Sequence, residues 1–181
     1  MSTIGSSARQ TIERFLQAAV SPEPGDMADC YAERFVIEMP FAGGLAPERT
    51  EMTREEFRAR VTAGLAARRY TRAADVRIHE TADPEVVVAE YRLEGHKGAD
   101  ASPFSLAFVM VVTVRDGLIV HSRDYSNPID GARLLGRVPQ LVAMLTDDGA
   151  RQQQGRLFRV RLPGWRGRVG GVGACWRPRP V

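Results

Sequence analysis

The sequence has few of the features that several large classes of protein need. No apolar run approaches the roughly 18 residues of a membrane span, and none follows the first charges as in a secretory signal. Cys30 and Cys175 are the two cysteines among 181 residues, and their separation fits no metal-binding pattern. We therefore expect free thiols, a location in the reducing cytoplasm, and no membrane partner.

Motifs for metals, cofactors and nucleophiles are also missing. His79, His96 and His121 are the three histidines, and their spacing is neither H-x-H nor H-x-x-x-H, the spacings typical of metal ligands. Gly43-Gly44 lacks the spacing and the following lysine of a phosphate-binding loop. No serine or cysteine stands in a recognisable nucleophile elbow. We therefore expect neither a metal nor a bound cofactor.

Charge divides the chain into two parts. The net charge is +3, but residues 151–181 hold eight arginines and no acid, which leaves 17 basic and 22 acidic residues, a net of −5, in the remainder. We interpret residues 1–148 as the folded domain and residues 149–181 as a basic tail rich in Arg, Gly and Pro. Three interpretations of the tail stay open: a disordered segment, a shifted reading frame and a basic binding arm. Nucleic acid is therefore an unlikely partner of the domain.

Apolar periodicity predicts helices first and strands afterwards. Ile12, Phe15 and Leu16 lie on one helical stripe after Ser6 or Ser7, either of which can cap the helix. The predicted helices cover residues 7–20, 26–32 and 54–69 and a short stretch after residue 128; the predicted strands cover residues 34–39, 74–80, 85–94, 103–115 and 118–126. This order predicts an α+β fold, in which a cone-shaped, curved antiparallel sheet packs on the N-terminal helices.

Asp124 is the unusual residue of the last predicted strand. Side chains alternate along a strand, so Val120, Ser122 and Asp124 should share one face, and His121 should lie on the other. If the Asp124 face is covered, burial raises the pKa of the carboxyl group and makes it a candidate acid or base. If that face is open to water, Asp124 is a solvated strand-end charge.

Other candidates would line the same hollow. The predicted strand 103–115 places Phe108 and Met110 on a continuous apolar face, which either lines a cavity together with Phe41 and Tyr31 or is plain core. Two charged candidates lie elsewhere. Glu38 is either a second cavity carboxylate or a solvated residue, and Arg60 either reaches the cavity mouth, where it could pair with an acidic substrate, or is an exposed helix residue. Substrate binding is therefore assigned to Glu38, Phe41, Arg60, Phe108, Met110 and Ser122.

Residues 74–136 carry short motifs at a specific spacing. They are Glu80-Thr81 with Asp83-Pro84, Glu90-x-Arg92-x-Glu94-Gly95, Phe108, Asp116-Gly117-Leu118-Ile119, Arg123-Asp124-Tyr125 with Asn127-Pro128, and Leu135-Gly136. This series resembles the phenazine-biosynthesis A/B proteins, which belong to the SnoaL-like and ketosteroid-isomerase-like branch of the nuclear-transport-factor-two superfamily. The resemblance implies a cone with a deep apolar pocket and a homodimer formed through the outer sheet face.

The resemblance also implies a role for Asp124, because it occupies the position of the pocket acid/base in these relatives. Their histidine and serine on the pocket helix are replaced here by Arg60 and Gly64, and a further histidine position is Met110. The base position of the ketosteroid isomerases is Met39. The constellation of neither relative is complete in this chain.

Three functions follow from these observations. The first is a cofactor-free enzyme of antibiotic-type secondary metabolism, in which Asp124 transfers protons during isomerisation, cyclisation or condensation of a small cyclic substrate. The second is a non-catalytic ligand-binding or partner subunit of the same fold, favoured by the missing histidine and serine. The third is a dimeric interaction module whose pocket is filled by side chains.

Overall fold

A computed structural model describes residues 6–42, 44–64, 68–98 and 101–146. The predicted tail, 149–181, lies outside these residues. A 3-10 helix, Pro24–Cys30, follows the first helix. The helices are α1 (Ala8–Ala19), α2 (Arg54–Gly64), α3 (Pro128–Leu134) and α4 (Val138–Thr146). The strands are β1 (Tyr31–Glu38), β2 (Arg49–Thr53), β3 (Arg68–Glu80), β4 (Val86–Lys97), β5 (Ser102–Arg115) and β6 (Leu118–Ser126).

The six strands form one curved, unclosed sheet in the order β2-β1-β6-β5-β4-β3. Neighbouring strands are antiparallel except β1 and β6, which run parallel. The predicted α+β architecture is therefore confirmed, but the sheet contains one parallel pair, β1 with β6, that the predicted antiparallel sheet did not include. This pair joins the first strand to the last one, so residues from distant parts of the sequence meet on one face.

Two predicted boundaries were wrong. The helix that begins at Arg54 ends at Gly64 rather than near Arg69, and residues 68–73 instead begin β3. Arg68 pairs with Lys97 in a long antiparallel ladder, so sheet pairing prevails there over local helix propensity. The short strand β2 was not predicted, because its sequence RTEMT is mostly polar and follows a loop rich in Gly and Pro.

Capping and apolar burial fix the N-terminal helices against the sheet. Ser7 caps α1 in a reciprocal box, with Gln10 N donating to Ser7 Oγ at 3.2 Å and Ser7 N donating to Gln10 Oε1 at 2.9 Å. Ile12 and Phe15, on the predicted stripe, are buried where α1 packs across β3, β4 and β5. The predicted caps and apolar stripe of this helix are therefore confirmed, and the helix closes one side of the concave sheet face.

A β-bulge in β6 changes which of its residues face the core. Thr113 pairs with His121, but the next residue, Val114, pairs with Ile119, so Val120 is the extra residue. Ile119 is consequently fully buried, whereas Val120 is only half-buried. The prediction that Val120 shares the face of Asp124 assumed unbroken alternation and was wrong for this reason.

Candidate functional site

The concave face of the sheet encloses a small cavity of about 220 Å³ beneath α1 and α2. Strands β4, β5 and β6 contribute one wall, β1 contributes a second, and Phe57 and Arg60 of α2 cover the top. Most of the lining is apolar, and Asp124 is its single acidic residue. This combination of an apolar hollow and a few polar groups is typical of small-molecule sites.

Asp124 faces the cavity from β6, opposite Met110 of β5. The residue keeps partial exposure, whereas its Oδ1 atom is fully buried and has no hydrogen-bond partner in the described part of the chain. Burial raises the pKa of Asp124 from the ordinary 3.8 to about 6. Both protonation states of this carboxyl group are therefore accessible near neutral pH.

Tyr31 and Tyr91 place phenol groups in the same cavity. Both are almost fully buried, and burial raises the pKa of each well above 10, with the nearby Asp124 charge adding to the effect. The Tyr91 hydroxyl donates a hydrogen bond to Met110 Sδ at 2.6 Å. A thioether sulfur is a weak acceptor. The phenols therefore stay protonated and can act as hydrogen-bond donors beside Asp124.

A second cavity of about 340 Å³ adjoins the first toward α3. The two cavities share four lining residues, which are Met39, Ala46, Arg60 and Arg68. The outer cavity is lined further by the start of α3 and by Phe41, and no acidic residue lines it. Together the cavities reach the range of about 300–1,000 Å³ that small-molecule sites usually occupy.

Six of the predicted site residues lie at or next to these cavities. Asp124, Phe108 and Met110 line the inner cavity, and Arg60 lies where the two meet. Ser122 is fully buried beside Asp124, and its Oγ has no hydrogen-bond partner among the described residues. Phe41, predicted for the same hollow, instead lines the outer cavity.

Phe41 is exposed by 62% and packs edge-on against Tyr125 at a centroid distance of 5.3 Å, away from the inner wall. Glu38, like Ser122, lines neither cavity. Its carboxylate lies 3.3 Å from Arg49 and 3.5 Å from His121 Nε2. A role for Glu38 in substrate binding therefore has no support from its position.

Sequence reasoning missed Arg68, Tyr70 and Tyr91. Arg68 was assigned to the end of the predicted helix 54–69, and Tyr70 to no element, so their shared face on β3 was not predicted. Tyr91 lies between the charged residues Glu90 and Arg92. The alternation of apolar and charged residues along the predicted strand 85–94 was the sequence signal that could have placed Tyr91 on the buried face.

A larger groove of about 720 Å³ is open to solvent beside the outer face of the sheet. Partly exposed charged residues of β3 and β4, among them Arg77, Glu90 and Arg92, line much of it. Because the groove is open, a ligand bound there would remain largely in contact with water. The smaller cavity around Asp124 is therefore the better candidate site.

Within residues 6–42, 44–64, 68–98 and 101–146, no group of three or more His, Cys, Asp or Glu side chains could hold a metal ion. In the same described ranges, no helix has the length and apolar character needed to cross a membrane.

Comparison with known proteins gives one matching family model. It is described as a SnoaL-like domain and matches residues 12–122. Among curated proteins, the uncharacterized YesE of Bacillus subtilis is 25% identical over 124 residues, or 67% of this chain and 82% of that protein. An uncharacterized PhzA/B-like protein of Pseudomonas aeruginosa is 33% identical over 67 residues, 37% of this chain and 48% of that protein.

Solved structures show the same fold. A provisionally assigned isomerase of Bacillus subtilis superposes with a TM-score of 0.64 and 24% identity, covering 72% of this chain and 93% of its own. A provisionally assigned polyketide cyclase of Pseudomonas putida superposes with a TM-score of 0.59 and 17% identity, covering 72% of this chain and 98% of its own. A phenazine biosynthesis-related protein of Pseudomonas aeruginosa superposes with a TM-score of 0.59 and 14% identity, covering 72% of this chain and 81% of its own. The resemblance stated from the sequence motifs is thereby confirmed at the level of family and fold.

Proposed function

The chain belongs to the SnoaL-like domain family, and from this premise we propose that it is a small cofactor-free enzyme that transfers protons within a cyclic substrate. The observation that carries the proposal is Asp124, a carboxylate with a pKa of about 6 on the wall of an apolar cavity. A group with such a pKa can accept a proton at neutral pH and return it, which is the requirement for general acid–base catalysis. Isomerisation, cyclisation and condensation all begin with this step.

The proposed step starts with the ionised Asp124. Its carboxylate removes a proton from a carbon next to a carbonyl group, which leaves a neutral carboxylic acid and an enolate. Where the substrate has a double bond next to that carbon, the enolate is a conjugated dienolate. The protonated phenol of Tyr31 is the candidate donor to the enolate oxygen, and the Tyr91 hydroxyl could donate to it only by giving up its hydrogen bond to Met110 Sδ. Asp124 then returns the proton to the far carbon of the conjugated system, so the net reaction is a shift of the double bond that consumes no oxidant or reductant.

We propose the chemical class of the natural substrate by analogy with the solved relatives. The solved relatives include proteins described for phenazine biosynthesis and for polyketide cyclisation, so we assign the substrate to small cyclic intermediates of secondary metabolism. The expected homodimer and cytoplasmic location belong to the same proposal. The outer sheet face exposes Val76 by 43% and Val109 by 39%, which suits pairing through that face.

Proton abstraction can be tested without the natural substrate. We expect the protein to exchange hydrogen for deuterium beside the carbonyl of cyclohexanone and cyclohex-3-en-1-one in D2O, followed by proton NMR. Asp124→Asn should slow this exchange by at least about 100-fold, because Asn cannot accept the proton. The wild-type rate should rise with pH through about 6, where Asp124 ionises.

Asp116→Asn is the matched control, because it makes the same change at an exposed residue of the β5–β6 turn. It should exchange at the wild-type rate. Exchange by Asp124→Asn at the wild-type rate, with the fold intact by circular dichroism, would refute the catalytic role.

The second candidate is a non-catalytic ligand-binding subunit of the same fold. It is favoured by Arg60 and Gly64, which stand where the resemblance predicts a histidine and a serine on α2. This function predicts ligand binding that survives Asp124→Asn, with no proton exchange in either protein.

A further inference from the structure

Two guanidinium groups stand at the junction of the two cavities. Arg60 and Arg68 line both the inner and the outer cavity, and Arg137 lines the outer one alone. Arg137 donates a hydrogen bond to the Leu45 carbonyl at 3.2 Å, which holds its side chain against the loop. The passage from the outer to the inner cavity is therefore positively charged.

Neither junction arginine forms an ion pair with an acidic side chain in the described residues. This sets them apart from Arg58, Arg72 and Arg115, which lie 2.6 to 3.1 Å from a carboxylate. The Nε atom of Arg68 donates to Tyr70 Oη at 3.2 Å, and its guanidinium lies 5.9 Å from the centre of the Tyr70 ring. Arg68 is thus oriented by a neutral partner, and its charge has no counter-ion among the residues that the structure describes.

Asp124 does not neutralise this charge either. Asp124 forms no ion pair with an arginine in the described residues. It lines the inner cavity but not the outer one, whereas both junction arginines line the two. A substrate that spans the junction would meet a positive charge at one end and the proton acceptor at the other.

The end of the Arg68 side chain lies beside Gly64, the last residue of α2, which also lines the outer cavity. A Cβ added at Gly64 would stand in ordinary van der Waals contact with an Arg68 terminal nitrogen, at 3.5 Å. Arg68 itself is half-buried and lines both cavities. A half-buried, unpaired guanidinium gains most from a charged, bidentate acceptor.

We propose that the protein selects substrates that carry a carboxylate, which Arg68 binds at the junction while Arg60 adds charge from the exposed rim. A carboxylate fits the planar fork of Arg68, and the ring of the substrate would then occupy the apolar inner cavity beside Asp124. This inference rests on the proposed function only in that the cavity holds the substrate; it requires no turnover.

The test compares trans-cinnamate with trans-cinnamamide, which have the same ring and differ in charge. We expect isothermal titration calorimetry at pH 7.5 to show at least about tenfold tighter binding of cinnamate, as charge-assisted hydrogen bonds imply. Arg68→Gln should abolish this preference, and Arg68→Lys should retain part of it. Arg72→Gln is the matched control, because Arg72 lies on the same strand but pairs with Glu94 at 3.1 Å.

Equal affinities for the two compounds in the wild-type protein would overturn the inference, and that comparison needs no variant to fold. An unchanged preference in folded Arg68→Gln would also overturn it, as would tighter binding of phenyl phosphate than of cinnamate. Asp124→Asn should keep the cinnamate preference. If the protein prefers cinnamate to cinnamamide but exchanges no ketone hydrogens, the catalytic proposal is refuted and the carboxylate inference stands. If it exchanges ketone hydrogens but shows no preference for cinnamate, only the carboxylate inference is refuted.

Discussion

The carboxyl group of Asp124 should make the stability of the protein depend on pH in a specific direction. Its pKa is about 6 in the folded protein and close to 3.8 in an unfolded chain. Between these values the folded state binds more protons than the unfolded state, so the free energy of unfolding falls as pH rises. The stability that the protonated Asp124 gives the folded protein, relative to its ionised form, is fully present below pH 4 and is lost as pH rises through about 6.

The magnitude follows from the two pKa values. Each pKa unit corresponds to about 1.4 kcal/mol, so raising the pKa from 3.8 to about 6 costs the folded state about 3 kcal/mol at pH 8. Asp124→Asn replaces the carboxylate by a neutral group of the same size and removes this cost. The variant should therefore gain about 3 kcal/mol over the wild type between pH 4 and pH 8.

Urea unfolding at each pH from 4 to 8 measures this difference directly. Other acidic residues are common to both proteins and largely cancel when the two free energies are subtracted. Asp116→Asn, the same change at an exposed residue of the β5–β6 turn, is the control for the substitution itself. An Asp124→Asn difference that does not change with pH would mean that the Asp124 carboxylate is solvated in the folded protein, and the acid–base reasoning would fail with it.

Two matched pairs of variants test the sheet and the core by urea unfolding. Gly95→Ala should cost at least about 2 kcal/mol because its Cβ would overlap the Arg69 carbonyl, whereas Gly131→Ala, in a helix with open space around it, should stabilise by up to about 1 kcal/mol. Val112→Ala should cost about 2 kcal/mol because Val112 is fully buried, and Val109→Ala, at an exposed position, less than about 1 kcal/mol. Equal effects within either pair would contradict the packing described above.

The sequence was sufficient for the elements whose patterns are local. The stripe of α1 and the long strands β4 and β5 follow from periods of 3.6 and 2, and the serine that caps α1 could be predicted from its position before the stripe. The parallel pairing of β1 with β6 was not predicted, because it joins residues about 90 positions apart and leaves no local mark. Strand β2 was not predicted for a related reason, because its pairing with β1 rather than its composition makes it a strand.

The candidate site was predictable only in part. Asp124 was expected to face a cavity and does, but the expectation rested on alternation and on the resemblance, not on any contact that the sequence contains. The phenols and Arg68 come from strands whose neighbours are set by the sheet order. Their shared position is a property of the tertiary structure, so no spacing in the sequence could assemble them.

The bulge at Val120 explains how one strand serves both the core and the site. Ile119 faces the core where β6 begins, so unbroken alternation would place His121 and Arg123 inward and turn Asp124 outward. The extra residue reverses the alternation, so Ser122 is buried and Asp124 lines the cavity while Ile119 remains fully buried. Burying Ile119 is favourable on apolar area alone, whereas burying Asp124 carries the cost worked out above. Stability alone would favour a carboxylate in water, so the inward position of Asp124 is the feature that the proposed acid–base role would explain.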